Sequence, residues 1–153
     1  MPNIAIMGTG MVGGALQRWF ASEGVPVSVY DPPKGFDDKS VLDDAEIVFV
    51  CVPTPYYLDG TGFDDSFLRD ALDAIPRTGK TVVLKSTILP GTTDRFQEEY
   101  PEHVILFNPE FLTEATADKD MRQPTRQIRI VVRPSPLTSH ASPRRGANFS
   151  SRL

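Results

Sequence analysis

The sequence has few of the residues that build disulfide frameworks, metal sites and membrane spans. Its 153 residues include a single cysteine, Cys51, and two histidines, which excludes an internal disulfide framework and a cysteine-rich zinc site. No apolar run approaches the roughly 20 residues that a transmembrane helix needs. The first residues lack the basic segment and the small-residue cleavage site of a signal peptide. We therefore expect a cytoplasmic protein with no membrane partner and no bound metal.

Basic residues are scarce in most of the chain, and acidic residues are missing from its end. Residues 1–132 hold all 20 acidic residues and 12 of the 16 basic ones, which leaves a net charge of −8. Nucleic acid is therefore not an expected partner, because its binding depends on neutralising phosphates. Residues 133–153 contain four arginines, several prolines and serines, and few large apolar side chains. We predict a folded domain over residues 1–132 and a disordered tail over residues 133–153.

The folded part alternates short apolar runs with amphipathic stretches. Strands that alternate with helices imply crossover connections and a mostly parallel sheet. The predicted fold class is therefore α/β, a Rossmann-type doubly wound sheet with helices on both faces. Strands are predicted at residues 3–7, 25–30, 46–52, 81–85, 104–107 and 128–132, and helices at residues 11–23, 65–75 (capped by Asp64), 92–100 and from about Pro109.

A glycine-rich motif, Gly8-Thr9-Gly10-Met11-Val12-Gly13, stands between the first predicted strand and the first predicted helix. In a dinucleotide-binding turn, the first glycine permits the tight turn and the second lets the backbone approach a pyrophosphate. The third glycine lets the helix pack close to the strand. The phosphates would then lie on the unsatisfied N–H groups at the positive end of the helix. The plainer alternative is an ordinary glycine-rich turn.

Asp31 ends the second predicted strand, 18 residues after Gly13. An acidic residue about 20 residues beyond the motif is typical of dinucleotide sites, where it binds the hydroxyls of the adenosine ribose. A carboxylate at this point repels the 2′-phosphate of NADP and favours NAD. Lys34, three residues later, complicates the prediction because its positive charge would soften that repulsion. The alternative is a solvated loop aspartate.

Three further signals follow successive predicted strands, where a doubly wound sheet places its ligands. They are Val52-Pro53-Thr54-Pro55, Lys85-Ser86-Thr87 and Asn108-Pro109-Glu110-Phe111-Leu112. Proline-stiffened turns alone would mean little. Their recurrence at successive strand ends favours one shared binding crevice.

These segments resemble the N-terminal NAD-binding domain of the UDP-glucose/GDP-mannose dehydrogenase family. The resemblance extends over residues 3–132, with the motifs in the family's order, and the Asn-Pro-Glu-Phe-Leu segment is the most specific. It implies NAD as cofactor and a Rossmann-type fold. The matching segments are residues 8–13, 48–55, 85–88, 90–93, 108–114 and 118–124.

The family oxidises the primary alcohol of a nucleotide sugar to a carboxylate in two NAD-dependent steps. By position, the resemblance places Thr87 and Glu110 near the nicotinamide, with Glu110 handling water or protons and Glu114 as a second nearby acid. The alternative for the two glutamates is an exposed pair at a helix start, which the helix dipole favours anyway. The resemblance implies cofactor contacts from Gly8, Gly10, Met11, Val12, Gly13, Asp31, Lys34, Pro53, Thr54, Thr87 and Glu114.

The family reaction also needs a nucleophilic cysteine from a later part of the chain, and Cys51 lies inside an apolar strand where a thiol acts as a small hydrophobe. We therefore expect the chain to be inactive alone and to self-associate through the surface that a missing central helix would cover. A nucleotide sugar becomes a partner only with the missing half. The ending is typical of a truncated or frameshifted gene product. Genomic DNA without a downstream family sequence in another frame would contradict that hypothesis.

Two other functions remain open on the residues alone. The chain is also compatible with a relative of the hydroxyisobutyrate or 6-phosphogluconate dehydrogenases, although the Asn-Pro-Glu-Phe-Leu segment argues against it. The second alternative is a stand-alone NAD-sensing or regulatory module, which would be a well-behaved monomer.

Overall fold

A parallel five-stranded sheet forms the centre of the fold, which a computed structural model describes for residues 1–109. Around it lie four helices and a small separate hairpin. In chain order the elements are β1 Ile4–Met7, α1 Met11–Ser22, β2 Ser28–Tyr30, α2 Ser40–Asp44, β3 Ile47–Val50, β4 Tyr56–Tyr57, β5 Gly62–Phe63, α3 Ser66–Ala74, β6 Thr81–Leu84, α4 Thr92–Glu99 and β7 Val104–Phe107.

The strand order in the sheet is β2-β1-β3-β6-β7, and every neighbouring pair is parallel. The chain first moves from β1 outward to β2 and then returns past β1 to build the other half. The direction of winding therefore reverses between β1 and β3. In open α/β sheets, ligands bind beyond the carboxyl ends of the strands at such a reversal. The predicted doubly wound parallel sheet is confirmed.

Helices cover both faces of the sheet. Successive strand residues point to opposite sides, so each strand supplies apolar side chains to both faces. On one face, Leu16 and Phe20 of α1 pack against Ile6 and Phe49, with the two phenylalanine rings 5.6 Å apart. On the other face, α2, α3 and α4 supply a larger apolar cluster. That cluster joins Leu42, Leu68, Leu72 and Phe96 to Ala5, Val48 and Val82 of the strands. Two-sided burial explains why the strands read as nearly continuous apolar runs.

The second strand is shorter than the apolar run predicted, since it covers Ser28–Tyr30 rather than residues 25–30. Pro26 has no N–H to donate to a ladder, so a strand cannot extend through it without losing a hydrogen bond. Val25 and Val27 nevertheless pack against the apolar cluster under α1. The apolar run therefore predicted which residues are buried, but not which residues pair in the sheet.

The start of α3 differs by one residue from the predicted cap. Asp65 holds the cap position, but the Asp64 carboxylate accepts the N–H of Ser66 at 2.9 Å and so still satisfies the helix start. Phe67, the neighbour of the fully buried Leu68, is 46% exposed. The buried side follows the spacing 68, 71, 72 and 75, and residue 67 lies at its margin.

Two local structures were not predicted: the helix α2 and the hairpin of β4 and β5. α2 has only five residues, and the two hairpin strands have two residues each. Elements this short carry too little periodicity to be read from a pattern. The predicted helix near Pro109, the strand at 128–132, the boundary at residue 132 and the tail lie outside the described residues. Among residues 1–109, no helix has the length and apolar character to cross a membrane.

Candidate cofactor site

The carboxyl ends of the five strands lie side by side, and backbone hydrogen bonds continue beyond the strands to tie their exits together. The Gly8 N–H donates to Tyr30 O at 3.0 Å, joining the exits of β1 and β2. The Cys51 N–H donates to Met7 O at 2.8 Å and the Lys85 N–H to Val50 O at 2.9 Å. The glycine loop, Asp31 and the segments 52–55 and 85–87 therefore lie along one edge. Residues 110–112 of the third predicted segment lie outside the described residues.

Two glycines of the loop are required by the fold itself. Gly8 has φ +82°, and a Cβ on it would lie 2.8 Å from Cys51 O. A Cβ on Gly13 would lie 1.9 Å from Gly8 O, far inside any allowed contact. The loop thus packs against the end of β3 at Gly8, and the start of α1 packs against the loop at Gly13. These contacts match the predicted turn and packing roles of the two glycines.

Gly10 differs from both, because a Cβ added there would contact no other residue. It lies at the N-cap of α1 with φ −67°, and a Cβ built on it has no heavy atom within 4 Å. The first N–H groups of a helix have no acceptor inside the helix. Met11 at the first helical position is exposed and Val12 is half-buried. A side chain at Gly10 would point into open space, and this suits a pyrophosphate, which needs close backbone approach and the positive end of the dipole.

Asp31 is buried and belongs to a closed set of contacts with the glycine loop. Its Oδ2 accepts the Thr9 N–H at 2.7 Å and the Thr9 hydroxyl at 2.6 Å. Burial acts to raise the pKa of Asp31, but the Thr9 hydrogen bonds and the nearby Lys34 charge outweigh it and lower the pKa. The carboxylate is therefore ionised at neutral pH. Residues 1–109 offer no partner to its Oδ1.

Lys34 reaches the same place through a tight turn. Pro32–Lys34 form a 3₁₀ turn in which the Lys34 N–H donates to Asp31 O at 2.9 Å. The prolines fix φ near the value this turn needs. The Lys34 ammonium consequently lies 3.7 Å from Asp31 Oδ2 and donates to Thr9 O at 2.5 Å. A separation of three residues is thus enough to bring the lysine to Asp31.

The exits of β3 and β6 are joined by two side-chain hydrogen bonds. The Thr54 hydroxyl donates to Thr87 O at 2.7 Å, and the Ser86 hydroxyl donates to Val52 O at 2.5 Å. Pro53 and Thr87 are themselves exposed at this edge. The structure therefore brings Pro53 and Thr54, predicted to contact the cofactor, next to Thr87, which was predicted near the nicotinamide.

A buried lysine stands behind these turns. The Lys85 ammonium donates to Asn108 Oδ1 at 2.5 Å, which joins the exits of β6 and β7. Burial lowers the pKa of Lys85 to about 8, although neighbouring Cys51 opposes the shift. Burial raises the pKa of the Cys51 thiol to about 12, against the opposing effect of Lys85. Cys51 is therefore a neutral thiol at physiological pH, which agrees with its predicted structural role.

Glu110 and Glu114, predicted near the nicotinamide, lie outside the described residues. A depression of about 510 Å³ opens at the opposite edge of the sheet, between the start of β6 and the end of α2. Its lysine, Lys80, donates to the carbonyls of Asp43 and Ala45 and so stabilises the end of α2. No three His, Cys, Asp or Glu side chains within residues 1–109 are grouped to hold a metal ion.

The sequence patterns indicated roles for the glycines and Asp31 but none for Thr9. They placed Lys85 and Asn108 in segments of the predicted crevice without predicting a contact for either. Thr9 occupies a variable position of the motif pattern, so no spacing rule marks it. The Lys85–Asn108 contact joins residues 23 positions apart. Only the parallel register of β6 and β7 reveals that contact.

Comparison with known proteins agrees with this geometry. The model of the UDP-glucose/GDP-mannose dehydrogenase family, NAD binding domain, matches residues 34–132. UDP-glucose 6-dehydrogenase of Streptococcus pneumoniae is 35% identical over 94 residues, which cover 60% of this chain and 24% of that protein. The chain thus spans about a quarter of the length of that relative. The glycine loop and Asp31 precede the matched span, so their assignment depends on the geometry described above.

Solved structures show the same fold more widely. GDP-mannose dehydrogenase of Pseudomonas aeruginosa, solved as a ternary complex, superposes with a TM-score of 0.68 at 24% identity, covering 80% of this chain and 39% of that one. A 3-hydroxyisobutyrate dehydrogenase of Mycobacterium tuberculosis reaches 0.60 at 17% identity, covering 78% and 44%. Since both dehydrogenase types share the fold, the family match rather than the fold distinguishes them. The chain belongs to the UDP-glucose/GDP-mannose dehydrogenase family and corresponds to its NAD-binding domain.

Proposed function

We propose that the chain binds NAD across the carboxyl edge of its sheet. The pyrophosphate lies against the loop Gly8–Gly13 and the start of α1, the adenosine ribose meets Asp31 with Lys34 beside it, and the nicotinamide end extends toward Thr54 and Thr87. The observation that carries the proposal is the contrast among the loop glycines. Gly8 and Gly13 are closed in by protein atoms, whereas the space at Gly10 is open.

The charge at the ribose end favours NAD over NADP. Asp31 is ionised, and a 2′-phosphate placed on the ribose would meet its negative charge at short range. The Lys34 ammonium already contacts Thr9 O and Asp31, so only part of its charge is available to a phosphate. NAD is therefore expected to bind more tightly than NADP.

For the reaction, we propose that the chain is the cofactor-binding part of a nucleotide-sugar 6-dehydrogenase, which oxidises the primary alcohol of a UDP- or GDP-sugar to a carboxylate. The family match and the name of the Streptococcus pneumoniae relative support this proposal. The chain alone is expected to be inactive, because its single cysteine is Cys51, whose neutral thiol cannot attack a carbonyl carbon efficiently. Glu110 and Glu114 keep their predicted places near the nicotinamide as part of this proposal.

A calorimetric titration with NAD⁺ tests the cofactor site, with Gly10→Ala as the critical variant. The added methyl meets no protein atom, so the fold should be unaffected, but it occupies the space assigned to the pyrophosphate. We expect saturable binding by the natural chain and a loss of at least tenfold in affinity in Gly10→Ala. Gly14→Ala, one turn into α1, is the matched control because its added methyl makes only near-ordinary contacts, 3.3 Å to the movable Arg18 side chain and 3.5 Å to Thr9 O. Equal affinity in Gly10→Ala and Gly14→Ala would contradict the proposed pyrophosphate site.

Self-association is part of the same proposal, as is a cytoplasmic setting, which the single cysteine favours. Several large apolar side chains among residues 1–109 are exposed, including Tyr56, Leu58 and Leu89. Exposed apolar side chains favour association. Size-exclusion chromatography across a concentration series should show a mass that rises with concentration. A monodisperse monomer at all concentrations would contradict this expectation.

A further inference from the structure

We propose that Thr9 is a specificity-determining residue of the cofactor site, which acts by positioning Asp31 and Lys34. The inference rests on the proposed NAD site and adds a residue that motif rules leave unassigned. Thr9 stands between the first two glycines of the loop, where the pattern accepts any side chain. In this fold, its hydroxyl lies between the two charged residues of the ribose end.

The Thr9 hydroxyl makes two contacts with opposite charges. It donates to Asp31 Oδ2 at 2.6 Å and accepts from the Lys34 ammonium at 3.2 Å. A hydroxyl has one donor and two acceptor lone pairs, so it satisfies an anion and a cation together. The Thr9 backbone takes part as well, since its N–H donates to Asp31 and its carbonyl accepts from Lys34. One residue of the phosphate loop therefore holds both charged groups.

These contacts determine which carboxylate oxygen faces a ligand. All donors from Thr9 converge on Oδ2, and Oδ1 has no partner among residues 1–109. Oδ1 is thus the acceptor available to a ribose hydroxyl. The backbone of Asp31 is held independently, because its N–H donates to Phe36 O at 2.7 Å and its carbonyl accepts the Phe36 N–H at 3.2 Å. Rotation of the carboxylate about its own side-chain bonds is therefore the freedom that Thr9 removes.

The same contacts keep Lys34 away from a 2′-phosphate. Its ammonium donates to Thr9 at two oxygens and lies near Asp31, although half of its side chain is exposed. Without the hydroxyl, Lys34 loses one acceptor and Asp31 loses one of its two donors from Thr9. A freer ammonium beside a less well-oriented carboxylate accepts a phosphate more readily. Removing the hydroxyl should consequently weaken NAD binding and reduce the preference for NAD over NADP.

The test is to titrate Thr9→Val, which replaces the hydroxyl by a methyl at nearly constant volume, with NAD⁺ and separately with NADP⁺. We expect NAD⁺ affinity to fall about three- to tenfold, the range for loss of one hydrogen bond. NADP⁺ affinity should stay the same or rise, so the NAD⁺/NADP⁺ ratio falls. Thr9→Ser, which restores the hydroxyl, should restore the ratio. Thr9→Ala serves as a second hydroxyl-free variant should valine prevent folding.

Ser22→Ala is the matched control, since it removes a hydroxyl that bonds Trp19 O at the far end of α1. Its NAD⁺/NADP⁺ ratio should equal that of the natural chain. A merely structural role for Thr9 would lower both affinities together and leave the ratio unchanged, which would overturn the inference. If the natural chain binds neither cofactor while folded, the proposed NAD site fails instead, so the two failures are distinguishable.

Discussion

Gly13 and Gly14 are adjacent glycines in the first turn of α1, and the structure predicts opposite effects when each becomes alanine. A Cβ on Gly13 would lie 1.9 Å from Gly8 O and 3.2 Å from the Cys51 side chain. A Cβ on Gly14 would meet the flexible end of Arg18 at 3.3 Å and Thr9 O at 3.5 Å. Both residues are buried and share the same helix, so they differ mainly in what their α-carbons face.

The magnitudes follow from these distances. Replacing glycine by alanine inside a helix is favourable by about 0.5–1 kcal/mol when nothing obstructs the methyl. Gly14→Ala should show a gain of this size or no change. In Gly13→Ala the obstacle is a backbone oxygen, which cannot rotate away, so the loop and α1 must separate. Overpacking costs about 1–3 kcal/mol and occasionally more, and a 1.9 Å contact belongs at or beyond the upper end.

Urea denaturation followed by circular dichroism measures the free energy of unfolding of the two variants and of the natural chain. We expect Gly13→Ala to lose about 3 kcal/mol or more and Gly14→Ala to equal or exceed the natural chain. Domains of this size have only about 5–15 kcal/mol of stability in total, so the loss will be evident. If Gly13→Ala is as stable as Gly14→Ala, the 1.9 Å contact between a Cβ at residue 13 and Gly8 O does not destabilise the fold, and the reasoning is refuted.

Two further outcomes depend on buried titratable groups. His103 accepts the Lys80 N–H at Nδ1, at 3.2 Å, and burial lowers the pKa of His103 below the usual 6.5. The contribution of His103 to the free energy of unfolding should therefore be constant above pH 6.5 and should fall as the pH drops from about 6.5 through the lowered pKa. His103→Asn keeps an acceptor but cannot be protonated, so urea midpoints at pH 7.5 and 5.5 should differ less in the variant, and an equal difference would contradict the assignment. Cys51, with a pKa of about 12, should react with a thiol reagent at pH 8 far more slowly in the folded chain than in urea. Equal rates would mean that the thiol is not held in the apolar environment described.

The sequence by itself determined the features that depend on neighbouring residues. Apolar runs indicated the strands because a central parallel strand is buried on both sides. The glycine spacing indicated the loop, because the bend at Gly8 and the packing at Gly13 are encoded within six residues. Asp31 followed from its distance to that loop along the chain. For the strands and the glycine loop the physical constraint is local, so a pattern of residue types is enough to express it.

The tertiary structure alone decided the contacts between distant segments. Thr9 meets Asp31 across 22 positions, and the Lys85 ammonium meets Asn108 across 23. The turn that returns Lys34 to Asp31 depends on two prolines together with a bridge from Asp31 to Phe36. Residue types permit many such pairs, and the parallel register of the strands selects among them by placing particular exits side by side. These contacts are a property of the assembled sheet, and for that reason no local sequence pattern predicts them.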